Sequence, residues 1–578
     1  DSIPMLVISG QVRFDTTARS TGLALRAMGD QEFDICKAID CMTKYSEMVI
    51  DPMRIRYCLE KALYLARSGR PGPCWLDIPL NVQAAMIETD DLIGFDPEDY
   101  ENGGTGWGTM GNIHAIPEDE AGKGEKRQLL PGKVSRETAD LILSKIRAAK
   151  RPVINAGNGI RIAGAHDVFM RMAEKLGIPV ITGWDSEDCI WDEHPLYTGR
   201  AGNMGDRAGN FAIQNSDLVL SVGSRLSIRQ VGYNYKTWAR AAFVIANDID
   251  SEELKKPSVH ADLAVHADAK DLLEQLDGAL DEILEKEGNQ LAESLSKKGE
   301  KQLFGGGEGL PGMSWSETCR MWKETYPVVQ EKHWNFTDQE PANVYAAIQA
   351  ISSRLKEDQI TVVGNGSACV VGGHAYVIKK GQRFITNSAV AAMGYDLPAA
   401  IGAWTASRDS RCYSQGRDRS GEDLILVTGD GSIQMNLQEL QTIIHHKMGI
   451  KIFLINNGGY HSIRQTQKNF FGEPLIGIGV DSGDLSFPDM EKLACAYGYP
   501  YIKAEHNSEL AKAVEQTLAV EGPVICEIFV SMDQNFEPKS SAKRLPDGTL
   551  VSPPLEDLAP FLPEEEMDRN MIIPRIRE

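Results

Sequence analysis

No apolar run in this chain of 578 residues reaches the ~18 positions a helix needs to cross a bilayer, so no membrane span is predicted. Nothing basic precedes the short run Met5–Ile8, which therefore does not read as a signal peptide. A basic stripe is missing too. The net charge of −22 argues against nucleic acid as a partner. Ten cysteines are scattered without a CxxC pair, which points to neither a zinc site nor a disulfide framework. They read as buried thiols in a reducing, cytoplasmic compartment. No internal repeat of short period is present. What remains is ordinary for a soluble globular protein, with 42% hydrophobic and 25% charged residues. The length suits roughly three or four domains.

The most informative stretch is 424–460, LILVTGDGSIQMNLQELQTIIHHKMGIKIFLINNGGY. Apolar runs at 424–428 and 450–455 flank a segment in which Ile433, Leu437, Leu440 and Ile444 recur at helical spacing. This predicts a β-α-β unit with parallel strands and a right-handed crossover. Polar clusters close both strands: Gly429-Asp430-Gly431-Ser432 and Asn456-Asn457-Gly458-Gly459. Ligands of open parallel sheets sit at the carboxyl ends of strands, where Asp430 and Asn457 offer hard oxygen donors suited to Mg²⁺. Gly431 and Ser432 open the helix, whose free amides favour a phosphate. Further back, the strand in ITVVGNGSACVVGGH ends in Gly364-Asn365-Gly366-Ser367, a turn able to offer amides and a hydroxyl from the other side. Taken singly, GDG is an ordinary loop and NN an ordinary strand end. Together they suit a magnesium-bound diphosphate.

GDG, twenty-four residues (432–455), then NN resembles the cofactor signature of thiamine-diphosphate enzymes. The resemblance implies that Asp430, Asn457 and the backbone of Gly459 bind the metal. RFITNSAVAAMGYDLPAAIGA resembles the family's strand-turn-helix whose Met supports the bent cofactor, here Met393; plain packing is the alternative. DSIPMLVISGQV, GDQEFDI and SGRPGPCWLDIPLNVQ resemble the pyrimidine-binding domain of acetolactate synthase. GSRLSIRQVG resembles the synthase segment whose second Arg, here Arg229, receives the substrate carboxylate. A guanidinium suits that task, and a surface or inter-domain ion pair is the competing reading.

The predicted fold is α/β, three doubly wound parallel-sheet domains with the first incomplete. Residues 1–90 form the second half of a pyrimidine-binding domain, 91–135 a linker, 136–285 a central domain, 286–340 a linker or insertion, 341–536 a diphosphate-binding domain and 537–578 a carboxyl arm. A helix is expected over 52–67, with Ile55, Leu59 and Leu63 on one face and Asp51 as N-cap before Pro52. Residues 405–422 read as an exposed insertion. The chain opens on Asp1 and directly on IPMLVISG, read as a core strand, so the start of the domain is expected to be missing. The loose glycine turn AGNGIRIAG leaves FAD possible.

The resemblance implies decarboxylation of a 2-keto acid, pyruvate first, and transfer of the remainder to a second carbonyl compound. A homodimer or homotetramer is implied with it. Alternatives are a 2-keto-acid decarboxylase, a flavin-dependent pyruvate oxidase, or a non-catalytic subunit of the same fold. The family's activating glutamate belongs to the first half of the pyrimidine-binding domain and has no match here, so poor cofactor binding and slow turnover are expected of this chain. Two departures bear on substrate. Asp30 stands where the synthases have a Phe before the active-site Gln, here Gln31, and Thr466 replaces the Trp of RQWQ in Arg464-Gln465-Thr466-Gln467. Both changes predict a roomier, more polar pocket and an acceptor that is larger or more polar than a small apolar keto acid.

Overall fold

The computed structural model describes residues 2–107, 130–294, 304, 307–387, 389–409, 422–544 and 550–576. Residues 108–129 of the expected linker at 91–135, the middle of the second linker and residues 410–421 of the expected insertion lie outside them. The chain forms two compact units, residues 1–133 with 266–268, and 134–265 with 269–578.

In the first unit, β1 (Met5–Gln11), β2 (Tyr45–Met48) and β3 (Pro73–Pro79) make a parallel sheet in the order β1-β3-β2. The central strand buries Cys74 and Leu76 completely. IPMLVISG is therefore an edge strand and not a core strand: Met5 and Ile8 are 51% and 56% exposed. A single-turn 3-10 helix at Pro52–Arg54 runs into the helix Ile55–Arg67, and the Asp51 carboxylate caps it by accepting the Met53 N–H at 2.9 Å. Its buried face is rotated from the expected one. Leu63 points outward, while Tyr57, Cys58, Ala62, Leu65 and Ala66 are buried. Small residues let that face lie close to the sheet, so packing overrides the greasier stripe.

The second unit holds two six-stranded parallel sheets. The first contains β4 (Pro152–Ala156), β5 (Val180–Thr182), β6 (Tyr197–Arg200), β7 (Leu218–Val222), β8 (Phe243–Asp248) and β9 (Leu263–His266). Its order is β6-β5-β4-β7-β8-β9, the doubly wound arrangement with a switch point between the first and fourth strands. The stretch expected as a second linker contributes to this core: the helix Trp315–Thr325 buries Trp315 and Trp322 against Phe211 and Val219.

The other sheet contains β10 (Ile360–Val363), β11 (Arg383–Ile385), β12 (Leu424–Gly429), β13 (Ile450–Asn456), β14 (Tyr501–Ala504) and β15 (Val524–Phe529), in the order β11-β10-β12-β13-β15-β14. Strand order reverses between β10 and β12. Near-continuous apolar runs fit strands covered on both faces, and β12 and β13 bury all but their last residues. The expected helix between them is broken into a 3-10 turn, Ile433–Asn436, and a short helix, Glu439–His445. Ile433 and Leu440 are fully buried, with Leu437 and Ile444 packed beside them.

Candidate functional site

Three loops meet at the carboxyl ends of β10, β12 and β13, around the point where the sheet order reverses. Such a crevice is where open α/β sheets bind ligands. Asp430 follows β12 and is 5% exposed. Its carboxylate accepts the Gly431 N–H at 2.8 Å and the Gly459 N–H at 2.9 Å, which ties the β12 loop to the β13 loop. Burial pushes this carboxyl up to about 7, against the pull of those two amides. Asn457 is equally buried. Its amide donates to the Ser367 hydroxyl at 2.8 Å, while its Oδ1 has no hydrogen-bond partner among the described residues. A buried oxygen without a donor is costly, and a cation beside it would relieve both that cost and the desolvation of Asp430. The donor set, one carboxylate oxygen and one amide oxygen, fits Mg²⁺.

The loop carrying Asn457 is set by the backbone. Gly458 and Gly459 have φ of +63° and +140°, and a Cβ at Gly459 would stand 2.1 Å from the Ile478 carbonyl, so only glycine fits there. Arg464, fully buried, donates to the Asn457 carbonyl at 3.1 Å and the Gly458 carbonyl at 3.0 Å. Asp481 accepts from its Nε at 2.8 Å and from Nη2, which it shares with the Gly458 carbonyl, at 2.9 Å. From the far side Asn456 Oδ1 accepts the Gly458 N–H at 3.0 Å, and Asn456 Nδ2 donates to Glu527. In the sequence Arg464 stands out only as a neighbour of Thr466, and nothing there marks Asp481.

After β10, Gly366 takes φ +91° and starts the helix Ser367–Ala375, whose first residue presents its hydroxyl to Asn457. The free amides of this helix start suit a phosphate. Asn365 donates to the Ala392 carbonyl at 2.9 Å, and the Gly394 N–H donates to the Ser432 hydroxyl at 2.9 Å. Met393 thus sits half-buried on a strap pinned on either side, between the Asn365 and Ser432 loops. Gly429 ends β12 between the Asn365 and Ile455 carbonyls, each 4.0 Å from where a Cβ would stand, an ordinary contact distance.

Arg229 lies on a short helix of the central domain, Ile228–Val231, with its guanidinium 4.7 Å from the centre of the Trp184 ring. Trp184 packs beside Gly373 of the Ser367–Ala375 helix, where a Cβ would come 3.9 Å from the ring. Among the described residues Arg229 forms no ion pair, which leaves its donors for a carboxylate. Gln31 belongs to the first unit and is exposed at φ +62°. The next residue, Glu32, accepts the N–H groups of Ala18, Met28 and Gly29 at 2.7 to 2.9 Å and so fixes its loop. Asp430, Asn457, Gly459, Ser367, Ser432 and the strap carrying Met393 are thus linked by hydrogen bonds between adjoining loops, Arg229 is tied to the same unit through Trp184, and Gln31 belongs to the first unit.

The glycine turn after β4 has a different task. Gly157 and Gly159 donate to the Val222 and Gly223 carbonyls at 2.9 and 2.8 Å, and a Cβ at Gly157 would fall 2.4 Å from the Gly223 oxygen. Close backbone approach accounts for these glycines.

Two family descriptions match the chain: "Thiamine pyrophosphate enzyme, central domain" over residues 139–276 and "Thiamine pyrophosphate enzyme, C-terminal TPP binding domain" over 364–528. Together they span more than half of the sequence. The chain is 26% identical to a probable acetolactate synthase large subunit of Methanococcus aeolicus, over 96% of this chain and 80% of that protein. It is 28% identical to the acetolactate synthase large subunit of Lactococcus lactis, over 93% and 79%. The figures for the Corynebacterium glutamicum large subunit are 27%, over 94% and 75%.

Proposed function

Because the chain belongs to the thiamine pyrophosphate enzymes, we propose that it decarboxylates a 2-keto acid, pyruvate first among them, and joins the remaining fragment to a second carbonyl compound. The observation that carries this reading is the pairing of the Asp430 carboxylate with the partnerless Asn457 oxygen at the ends of two adjacent strands. Asp430, Asn457 and the Gly459 backbone would hold Mg²⁺. Gly366, Ser367, Gly431 and Ser432 would surround the diphosphate. Thiamine diphosphate supplies the nucleophilic carbon and the electron sink for loss of carbon dioxide. Met393 would prop the cofactor from its pinned strap, and Arg229, aligned on Trp184, would orient a substrate carboxylate through paired hydrogen bonds. The assembly as a homodimer or homotetramer belongs to the same proposal.

Thr466 is exposed, its hydroxyl turned back to the Ser462 carbonyl at 3.0 Å, which supports an acceptor larger or more polar than a small apolar keto acid. The test is carbon dioxide release from pyruvate by the full-length protein, with thiamine diphosphate and Mg²⁺ each withheld in turn, followed by product analysis over an acceptor panel. Release that needs both is expected. Failure to bind thiamine diphosphate at any Mg²⁺ concentration overturns the reading.

A further inference from the structure

Lys539 stands in the tail segment that follows the last strand of the second unit. Its backbone pairs with Ala559 in both directions, at 3.0 and 2.8 Å, so the position is fixed. The side chain is half-buried, yet its ammonium has one partner among the described residues, the Gln465 Oε1 at 3.3 Å. An ammonium carries three donors, and taking one from water without a counter-charge is costly. Two other lysines taken from water are supplied: half-buried Lys175 has Asp277 and Asp281, and fully buried Lys451 has Asp423 and two carbonyls. In a chain with 82 acidic residues, none of those described meets Lys539. Burial lowers its pKa, with no acidic neighbour to offset the shift.

The position places that charge beside the site. Gln465 lies one residue beyond Arg464, which grips the Asn457 and Gly458 carbonyls. The Gln465 amide nitrogen is held by the Gln534 carbonyl at 2.9 Å and His461 at 3.0 Å, so its oxygen is aimed at Lys539. On the other side, Ser540 donates its N–H to the Asn203 carbonyl at 2.7 Å, and Asn203 donates its own to the Arg229 carbonyl at 2.7 Å. The Asn203 Oδ1 is buried without a partner. The tail strand thus runs from the turn behind Arg229 to the helix behind the metal loop and carries a counter-charge-free cation between them.

We propose that Lys539 is a specificity-determining residue that receives an anionic group, carboxylate or phosphate, on the acceptor substrate. This rests on the carboligase reading above. It adds that the acceptor bears a charge of its own and that the carboxyl arm reads it.

The experiment compares full-length wild type, Lys539→Met and Lys539→Arg with pyruvate as donor. The acceptor probes are propanal, 2-ketobutyrate and glyceraldehyde 3-phosphate. The readout is the KM of each charged probe relative to propanal. A charge-assisted contact is worth about tenfold or more, so Lys539→Met is expected to raise that ratio by about this factor and Lys539→Arg to restore most of it. Whichever charged probe responds identifies the group. Equal ratios in all three proteins overturn the proposal. Should wild type release no carbon dioxide, the carboligase reading fails on its own, and calorimetric titration with glycerol 3-phosphate, lactate and glycerol decides about Lys539. Anion binding that is lost in Lys539→Met supports the site, and binding that is absent or unchanged removes it.

Discussion

The Asp430 carboxylate accepts the Gly459 amide at 2.9 Å across twenty-nine residues of sequence. That bond joins the loops after two neighbouring strands and aims a glycine-rich turn at an acidic oxygen. With Arg464 gripping two carbonyls of the same turn and Asn456 holding it from the far side, the loop is organised before any ligand arrives. Preorganised donors need no rearrangement at the moment of binding. The expense is visible in the raised Asp430 carboxyl and in the unsatisfied Asn457 oxygen.

That balance makes a prediction for Asp430→Asn and Asn457→Ala. Residues that only support a metal ligand cost about 10–100-fold in affinity when changed, and the proposed ligands themselves should cost at least the upper end. Asn457→Ala removes an oxygen that has no partner and one hydrogen bond to the Ser367 hydroxyl, a net cost to the ligand-free protein of about 1 kcal/mol. Asn457→Ala is therefore expected to melt within a few degrees of wild type without ligands, and to lose the rise in melting temperature that thiamine diphosphate with Mg²⁺ gives. Scanning calorimetry with and without both ligands checks it. An undiminished rise would remove Asn457 from the metal.

Arg464→Lys probes the support. A lysine cannot span two carbonyls and a carboxylate in one plane, so the turn should loosen without losing a ligand. Mg²⁺ affinity is expected to fall by about 10–100-fold, with kcat returning toward wild type as Mg²⁺ is raised to saturation. A fall in kcat that saturating Mg²⁺ does not repair would mean that Arg464 does more than position the loop.

Much of this crevice was legible in the sequence because its strands are covered on both faces, and so read as unbroken apolar runs closed by Gly429-Asp430 and Asn456-Asn457. Short strands were not. Tyr45–Met48 and Tyr197–Arg200 have four residues each and no apolar run. Trp315 and Trp322 followed a glycine-rich stretch that read as a linker, and only tertiary packing shows them as core. The Arg464–Asp481 pair crosses seventeen residues that carry no periodic signal. The solitude of Lys539 is invisible in sequence altogether, since it depends on what every other chain segment fails to bring near.

Glu187, on the central-domain loop beside Trp184, gives a prediction for pH. It is 2% exposed, and its Oε2 has no partner among the described residues. Burial, helped by Asp185, pushes its carboxyl from the usual 4.5 up to about 8. Between those values the folded protein keeps a proton that the unfolded chain has released, so stability falls as pH rises through this window. The slope approaches about 1.4 kcal/mol per pH unit for one such proton. Below the window the neutral acid carries no penalty, and above about 8 the penalty is complete. Glu187→Gln keeps the shape and has no proton to lose. Denaturation midpoints of the two proteins, measured from about pH 5 to about pH 9, should therefore draw apart in favour of the glutamine as pH rises, and run parallel again at the alkaline end. A constant gap across the range would mean that Glu187 is already ionised in the folded protein, with its charge satisfied by Arg200.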